Sequence, residues 1–347
     1  MSRQLSLDGV RAMAILIVVA YHTATSKLPG GWAGVDLFFV LSGYLITRNL
    51  LAEQAWSGRI DIPRFYLRRA LRLLPAFAML LGFELLRALT EPAHKREILG
   101  SIGIAASYMM NWCRAFDWAP QGHLGHSWSL AMEEQFYLLW PLALLLLRRR
   151  ALPWLLLAIA AITLWRLHLS LAGAVFERTY NGFDTHADTL LLGCVLALLP
   201  GQDALVRRAG RTVLLPLALL GGIAVGAPLY SMGTQAVGLS LSGIAAAWIV
   251  LAARGDGWLA RKLSHRRLAY VGQISYGWYL WHFPLIKIGE DHAGPAGKLV
   301  GAVVSFAVAM LSYHLVEAWF LRRKHRIGPI PAVRLHEPVG VPPSIAA

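Results

Sequence analysis

Histidines, arginines and carboxylates stand inside long apolar runs of this 347-residue chain, where a charged side chain is costly and marks a candidate for function. His22 shares a stretch with Asp8 and Arg11, at offsets that put all three near one helical face. About 16 Å of helix separates Arg11 from His22. With Arg11 at the cytoplasmic interface, the imidazole is expected near the bilayer midplane. A neutral imidazole there can take the proton of a hydroxyl as that hydroxyl attacks an electrophile. The bland alternative is a core histidine bonded between helices, and His22 taken alone favours neither.

Further groups accompany it. Asp36, Gly43 and Thr47 fall on one face of the next apolar run, and Asp36 is expected to orient or charge-stabilise His22. The rival role for Asp36 is an interhelical hydrogen bond with no catalytic part. His126, Ser129, Glu133 and Trp140 share a face further on. Glu134 is turned about 100° from Glu133, so the two are not expected to serve one site. Ser275, Tyr279 and His282 align near the C-terminal end, followed by Tyr313, His314 and Glu317. Asp184 and Asp188 lie one turn apart with His186 between them, placed to shape an acceptor site or line its mouth.

Arg69 and Arg72, at i and i+3 in the segment Arg64 to Pro75, make a fork suited to phosphates. By themselves they are better read as a topology signal. Cys113 and Cys194 are too few for a disulfide framework and are read as packing residues. No metal-ligand spacing stands out, and no permanently bound cofactor is expected.

These groups require helices to carry them. The chain is 56% hydrophobic and only 15% charged, with mean hydropathy +0.51, a balance unsuited to a soluble domain of this length. Spans of about twenty apolar residues are placed near 8–26, 33–52, 73–90, 127–147, 152–171, 185–200, 212–230, 235–253, 270–289 and 297–320. The net charge of +14 gathers in short clusters after the even-numbered spans, as the positive-inside rule requires for cytoplasmic loops. The expectation is an all-α polytopic membrane protein of about ten spans, with both termini cytoplasmic. Residues 98–112 are apolar enough to cross but would invert every later cluster, so they are read as re-entrant or interfacial. The opening stretch carries Asp8 and no cleavage site, which makes it an uncleaved span. Residues 1–326 form the membrane domain and 327–347 a disordered cytoplasmic tail. The clustering of the basic residues and the lack of any nucleic-acid module argue against DNA or RNA as a partner.

Five segments together resemble acyltransferase family 3, integral membrane enzymes that O-acylate exported glycans, lipopolysaccharide, Nod factors and macrolides. They are Leu7-Asp8-Gly9-Val10-Arg11-Ala12 with Tyr21-His22, the run Gly34 to Gly43, Arg69-x-x-Arg72 with Pro75, Trp128 to Tyr137, and Ile274-Ser275-Tyr276 with Tyr279-Leu280-Trp281-His282. Each fragment is weak alone. Five in register from Leu7 to about Arg322 are specific.

The resemblance implies an O-acyltransferase of the cell membrane with acetyl-CoA or another acyl-CoA as co-substrate and a hydroxyl-bearing acceptor of glycan type. His22 would be the base. Arg11, Asp36 and Glu133 would support the centre, and Arg69 and Arg72, with Arg11 nearby, would serve the acyl-CoA side. Asp184, Asp188, Ser275, Tyr279 and His282 are expected on the acceptor side. The chain departs from the family pattern at His186, where arginine is frequent, and at Glu317-Ala318-Trp319, where the usual third residue is proline. Many relatives append an extracytoplasmic hydrolase-like domain, so a second transfer step would fall to another protein. The competing class is a transporter with buried His and Asp sites, which would need paired halves and no phosphate-binding arginines.

Overall fold

The computed structural model describes residues 5–147 and 150–326, and among them every regular element is a helix. The expected tail, 327–347, lies outside the described residues. The first three helices are α1 (Leu5–Thr23), α2 (Ala33–Ser57) and α3 (Ile62–Thr90), followed by the short α4 (Lys95–Ala106) and α5 (Met110–Phe116). A 3-10 turn, Gly122–Ser127, leads into α6 (Trp128–Leu147), and α7 (Ala151–Leu171) follows. Then come α8 (Phe176–Asn181), α9 (Phe183–His186), α10 (Asp188–Leu198), α11 (Gln202–Thr212) and α12 (Leu214–Gly226). A π-turn, Thr234–Gly238, opens α13 (Leu239–Ala253), and α14 (Trp258–Leu263), α15 (Arg266–Ser312) and α16 (Ala318–Arg326) complete the fold.

Seven of these stretches are long and apolar enough to cross a membrane, or eight if α11 and α12, bent by 60°, make one span. The expected spans 270–289 and 297–320 both lie in α15 and its continuation. Ala293 and Gly294 break helical geometry, Gly294 at φ +56°, and the chain doubles back on itself. Gly289 faces Gly297 across the reversal, where a Cβ on either would lie about 2 Å from the other's carbonyl oxygen. The indole of Trp278 donates to Ser305 Oγ at 3.0 Å and ties the two limbs together.

One expectation about the connecting segments changes. The arginine segment after the second span is not a loop but the opening of α3. Asp61 caps it by accepting from the Arg64 amide at 3.0 Å, and Pro63 occupies the first turn, where its missing N–H costs nothing. The apolar stretch 98–112 breaks at Tyr108, whose φ is +55°. It becomes the twelve-residue α4 and the seven-residue α5. Neither is long enough to span about 30 Å of hydrocarbon.

Small residues set the spacing of the central helices. A Cβ on Gly272 of α15 would sit 1.8 Å from the Asp8 carbonyl oxygen, so α1 and α15 run side by side at backbone contact. The level of Asp8 therefore matches Gly272, and the level of His22 matches His282. Gly43 of α2 and Gly193 of α10 are equally close to the facing backbone. Cys113 and Cys194 are both buried and free.

Candidate active site

Two features lie along the α1–α15 seam. The first is a cavity of about 170 Å³ enclosed by α1, α2, α3, α6 and α15. It gathers Arg11, Arg69, Arg72, Glu133, Ser275 and Tyr279 from four separate stretches of sequence. Arg11 is braced by Asp8, Nη1 to Oδ1 2.6 Å, across one turn of α1. Arg69 lies flat on the Tyr137 ring, its Cζ 3.4 Å from the centroid, with Nη2 3.7 Å from Glu134 Oε1. Stacking and charge together fix the guanidinium plane, while its buried Nε has no hydrogen-bond partner. Arg72 enters one turn later on the same face of α3. Arg68, the fourth arginine of this run with Arg64, is instead spent on a buried ion pair to Glu53 at 2.8 Å that pins α3 to α2.

Glu133 accepts from Ser42 Oγ at 2.5 Å, which joins α6 to α2 at the cavity wall. Glu134 does not line the cavity and approaches it only through its ion pair with Arg69. Trp140 adds a second tie, donating to Thr47 Oγ1 at 2.8 Å.

The second feature is a cluster of three imidazoles. His22 and His282 have ring centroids 5.2 Å apart, and His126 and His282 are 5.5 Å apart. Phe283 packs between His22 and His126, 5.0 and 5.1 Å from their rings. Backbone carbonyls decide the tautomers. His282 Nδ1 faces the Tyr279 carbonyl at 2.6 Å and must donate, which leaves Nε2 buried and without a partner. His126 Nε2 faces the Leu280 carbonyl at 3.1 Å, and its Nδ1 is likewise bare. In their neutral forms the two rings therefore each present an unused lone pair. Among the described residues, no group of three or more His, Cys, Asp or Glu is arranged to hold a metal ion.

The cavity and the cluster meet at Tyr279. Its hydroxyl donates to the His126 carbonyl and accepts from Ser129 Oγ at 2.7 Å, while its ring lines the cavity. His22 itself is not among the lining residues. It stands in the last turn of α1, half-buried, beside the Tyr21 ring at 4.9 Å. α1 ends one residue after it.

Asp36 and the paired aspartates are elsewhere. Asp36 Oδ1 lies 2.8 Å from His186 Nε2, and His186 Nδ1 faces the Tyr180 carbonyl at 2.8 Å. Both side chains are fully buried. The Gly34 contacts with Ala14 and Val18 set this stretch of α2 against the middle of α1, below the level of His22. The expected Asp36–His22 pair is therefore replaced by Asp36–His186. Both imidazole nitrogens of His186 are thus engaged. Asp188 is held by Arg166 through two bonds, 2.9 and 2.8 Å, with Ser240 completing the buried network. Asp184 pairs with Arg178 and accepts from Trp165 Nε1 at 2.9 Å. Neither aspartate lines the arginine-lined cavity or touches the histidine cluster; Asp184 is held by Arg178 and Asp188 by Arg166.

Several of these residues escape a reading by helical faces. Arg166 is a charge inside the run 152–171, and the rule that flags ionisable residues within spans would have found it. His186 was visible only as a departure from a pattern. Ser42 and Tyr137 carry no charge, and no signal in the sequence marks them.

The whole arrangement fits one family, and the comparisons agree. The model of the acyltransferase domain of family 3 matches residues 4–314, and the chain belongs to that family. The peptidoglycan O-acetyltransferase OatA of Listeria monocytogenes is 32% identical over 346 aligned residues, covering 90% of this chain and 55% of that protein. The O-acetyltransferase OatA of Staphylococcus aureus (strain NCTC 8325) is 35% identical over 345, covering 90% and 56%. The chain thus spans about half the length of the curated relatives it matches. No solved structure matches it.

Proposed function

We propose that the chain is a multi-pass cell-membrane O-acetyltransferase that moves an acetyl or short acyl group from cytoplasmic acyl-CoA to a hydroxyl of a carbohydrate-type acceptor. The relatives named for peptidoglycan favour a cell-wall glycan as that acceptor. The observation that carries the reading is the meeting at Tyr279 of a cavity lined by three arginines with a cluster of three histidines.

Each half suits one substrate. Arg11, Arg69 and Arg72 offer planar cationic groups to the phosphates of coenzyme A. The imidazoles supply bases, with His22 the one that takes the acceptor's proton. The hydroxyl oxygen then attacks the thioester carbonyl carbon, the C–S bond breaks, and coenzyme A leaves as a thiolate that is reprotonated. Arginines at one end and histidines at the other let donor and acceptor approach from opposite faces. The reading takes about ten spans with both termini cytoplasmic, counting α9 with α10, α11 with α12 and each of the two limbs of α15 as a span.

The test uses purified protein and radiolabelled acetyl-CoA, comparing the wild type with His22→Ala and Arg69→Ala. Arg69→Ala is expected to lose binding, and His22→Ala to bind normally but lose turnover by about a hundredfold or more, the usual contribution of a positioned base. A wild type that neither binds nor consumes acetyl-CoA would return the transporter reading.

A further inference from the structure

A second cavity, about 760 Å³, opens beside α5 and α8, away from the arginine-lined one. Its wall is mixed: Arg114, Asp117 and Gln121 from the segment before α6 and Glu177 and Arg178 from α8 stand among the apolar Ala115, Ala174 and Val175. Its floor is aromatic, because Phe116 lines it while 56% exposed and stacks on Trp112 at 5.9 Å. Arg178 lies over the Phe116 ring at 5.1 Å and is already neutralised by Asp184. None of these residues has a part in the donor site.

Arg114 connects this vestibule to the histidines. Its Nη1 donates to the Gly125 carbonyl at 3.3 Å, one residue before His126. A Cβ on Gly125 would meet that same Nη1 at 3.2 Å, so glycine leaves the room the guanidinium occupies. The buried Nε of Arg114 has no hydrogen-bond partner and remains available to a ligand.

We propose that this vestibule seats the hydroxyl-bearing sugar acceptor, with Arg114 holding it at the entrance to the histidine cluster. The inference rests on the acyltransferase reading above and names where its second substrate binds. The chemistry selects the ligand class. Two carboxylates beside two guanidiniums, one of them already paired, do not make a site for a polyanion such as coenzyme A. Planar amide, carboxylate and guanidinium groups reach neighbouring hydroxyls with paired hydrogen bonds. An exposed aromatic face, negative at its centre, accepts the C–H face of a sugar ring. The volume falls within the range of about 300–1,000 Å³ in which clefts bury drug-sized ligands, and a disaccharide is of that size.

The experiment uses the full chain in nanodiscs and two radiolabelled probes: acetyl-CoA, and an N-acetylglucosamine–N-acetylmuramic acid disaccharide. Binding of each is measured for the wild type, Arg114→Gln and Glu177→Gln. Both variants are expected to weaken disaccharide binding at least fivefold and to keep the acetyl-CoA Kd within twofold, which also reports an intact fold. Disaccharide binding unchanged in both variants overturns the proposal, as does a wild type with no saturable disaccharide binding. Parallel loss of both probes in both variants overturns it too, since a structural role would act that way. A wild type that fails to bind acetyl-CoA is a separate result. It removes the acyltransferase reading before any variant is compared, and this proposal with it.

Discussion

The side chains of this protein divide into those held by a partner and those left open. Asp36, Asp188 and Glu53 are all buried acids, and each is matched by a cation or a histidine: His186, Arg166 and Arg68. Removing one member of such a pair strands the other in a low-dielectric interior, at a cost of about 3–5 kcal/mol. Asp36→Ala is therefore expected to lower the unfolding free energy by about 3 kcal/mol. A double-mutant cycle by denaturant titration checks the partner. Coupling should be strong between Asp36→Ala and His186→Ala and near zero between Asp36→Ala and His22→Ala. The reverse result would restore the pairing expected from helical faces. By contrast the bare nitrogens of His126 and His282, and the Nε atoms of Arg69 and Arg114, are buried groups without partners. Such groups are costly unless a ligand completes them. Tyr279→Phe would leave Ser129 and the His126 carbonyl without their shared partner, and a drop in acetyl transfer of about tenfold, equal to about 1.4 kcal/mol, is expected in steady-state assays.

At the scale of elements, the site depends on helices that approach more closely than ordinary side chains allow. The α2–α10 contact is one such case, since a Cβ on Gly43 would lie 1.9 Å from the Leu190 carbonyl oxygen. Gly43→Ala should force the two helices apart and cost about 1–3 kcal/mol, the usual range for overpacking. It also displaces Ser42, and with it the Glu133 carboxylate. Gly82→Ala in α3 is the control: nothing lies within 4 Å of the added methyl. There the higher helix propensity of alanine should raise stability by a few tenths of a kcal/mol, up to about 1. Thermal unfolding in detergent followed by fluorescence would separate the two, and equal behaviour would mean that the α2–α10 contact is not rigid. The long α15 makes a related point. Its reversal at Ala293–Gly294 turns what reads as one helical run into an antiparallel pair, and places Glu317 against Gly277 and within 3.0 Å of Ser312.

For the molecule as a whole, the arrangement of spans is the property to test. With Cys113 and Cys194 replaced by alanine, single cysteines at Ser57 and Arg208 are expected to react with a membrane-impermeant maleimide only after the cytoplasmic face is opened. One at Ala172, after α7, should react in intact cells. Labelling of position 208 from outside would mean an odd number of crossings before α11 and would overturn the ten-span arrangement.

Much of this was written in the sequence itself. Apolar runs of span length and basic clusters between them establish a polytopic helical protein, because hydrocarbon tolerates no unsatisfied backbone and little charge. The arginine pair on α3, Glu133, Ser275 and Tyr279 were legible too, since a helical face brings residues three and four apart to one side. Partner choice between helices was not legible. Periodicity fixes the direction in which Asp36 points on its own helix, but not whether His22 or His186 waits there. That depends on rotation and depth, which the glycine contacts between backbones set. The third histidine, the Arg166–Asp188 pair and the Arg114 vestibule arise in the same way, from residues far apart in the chain that meet only once the helices have packed.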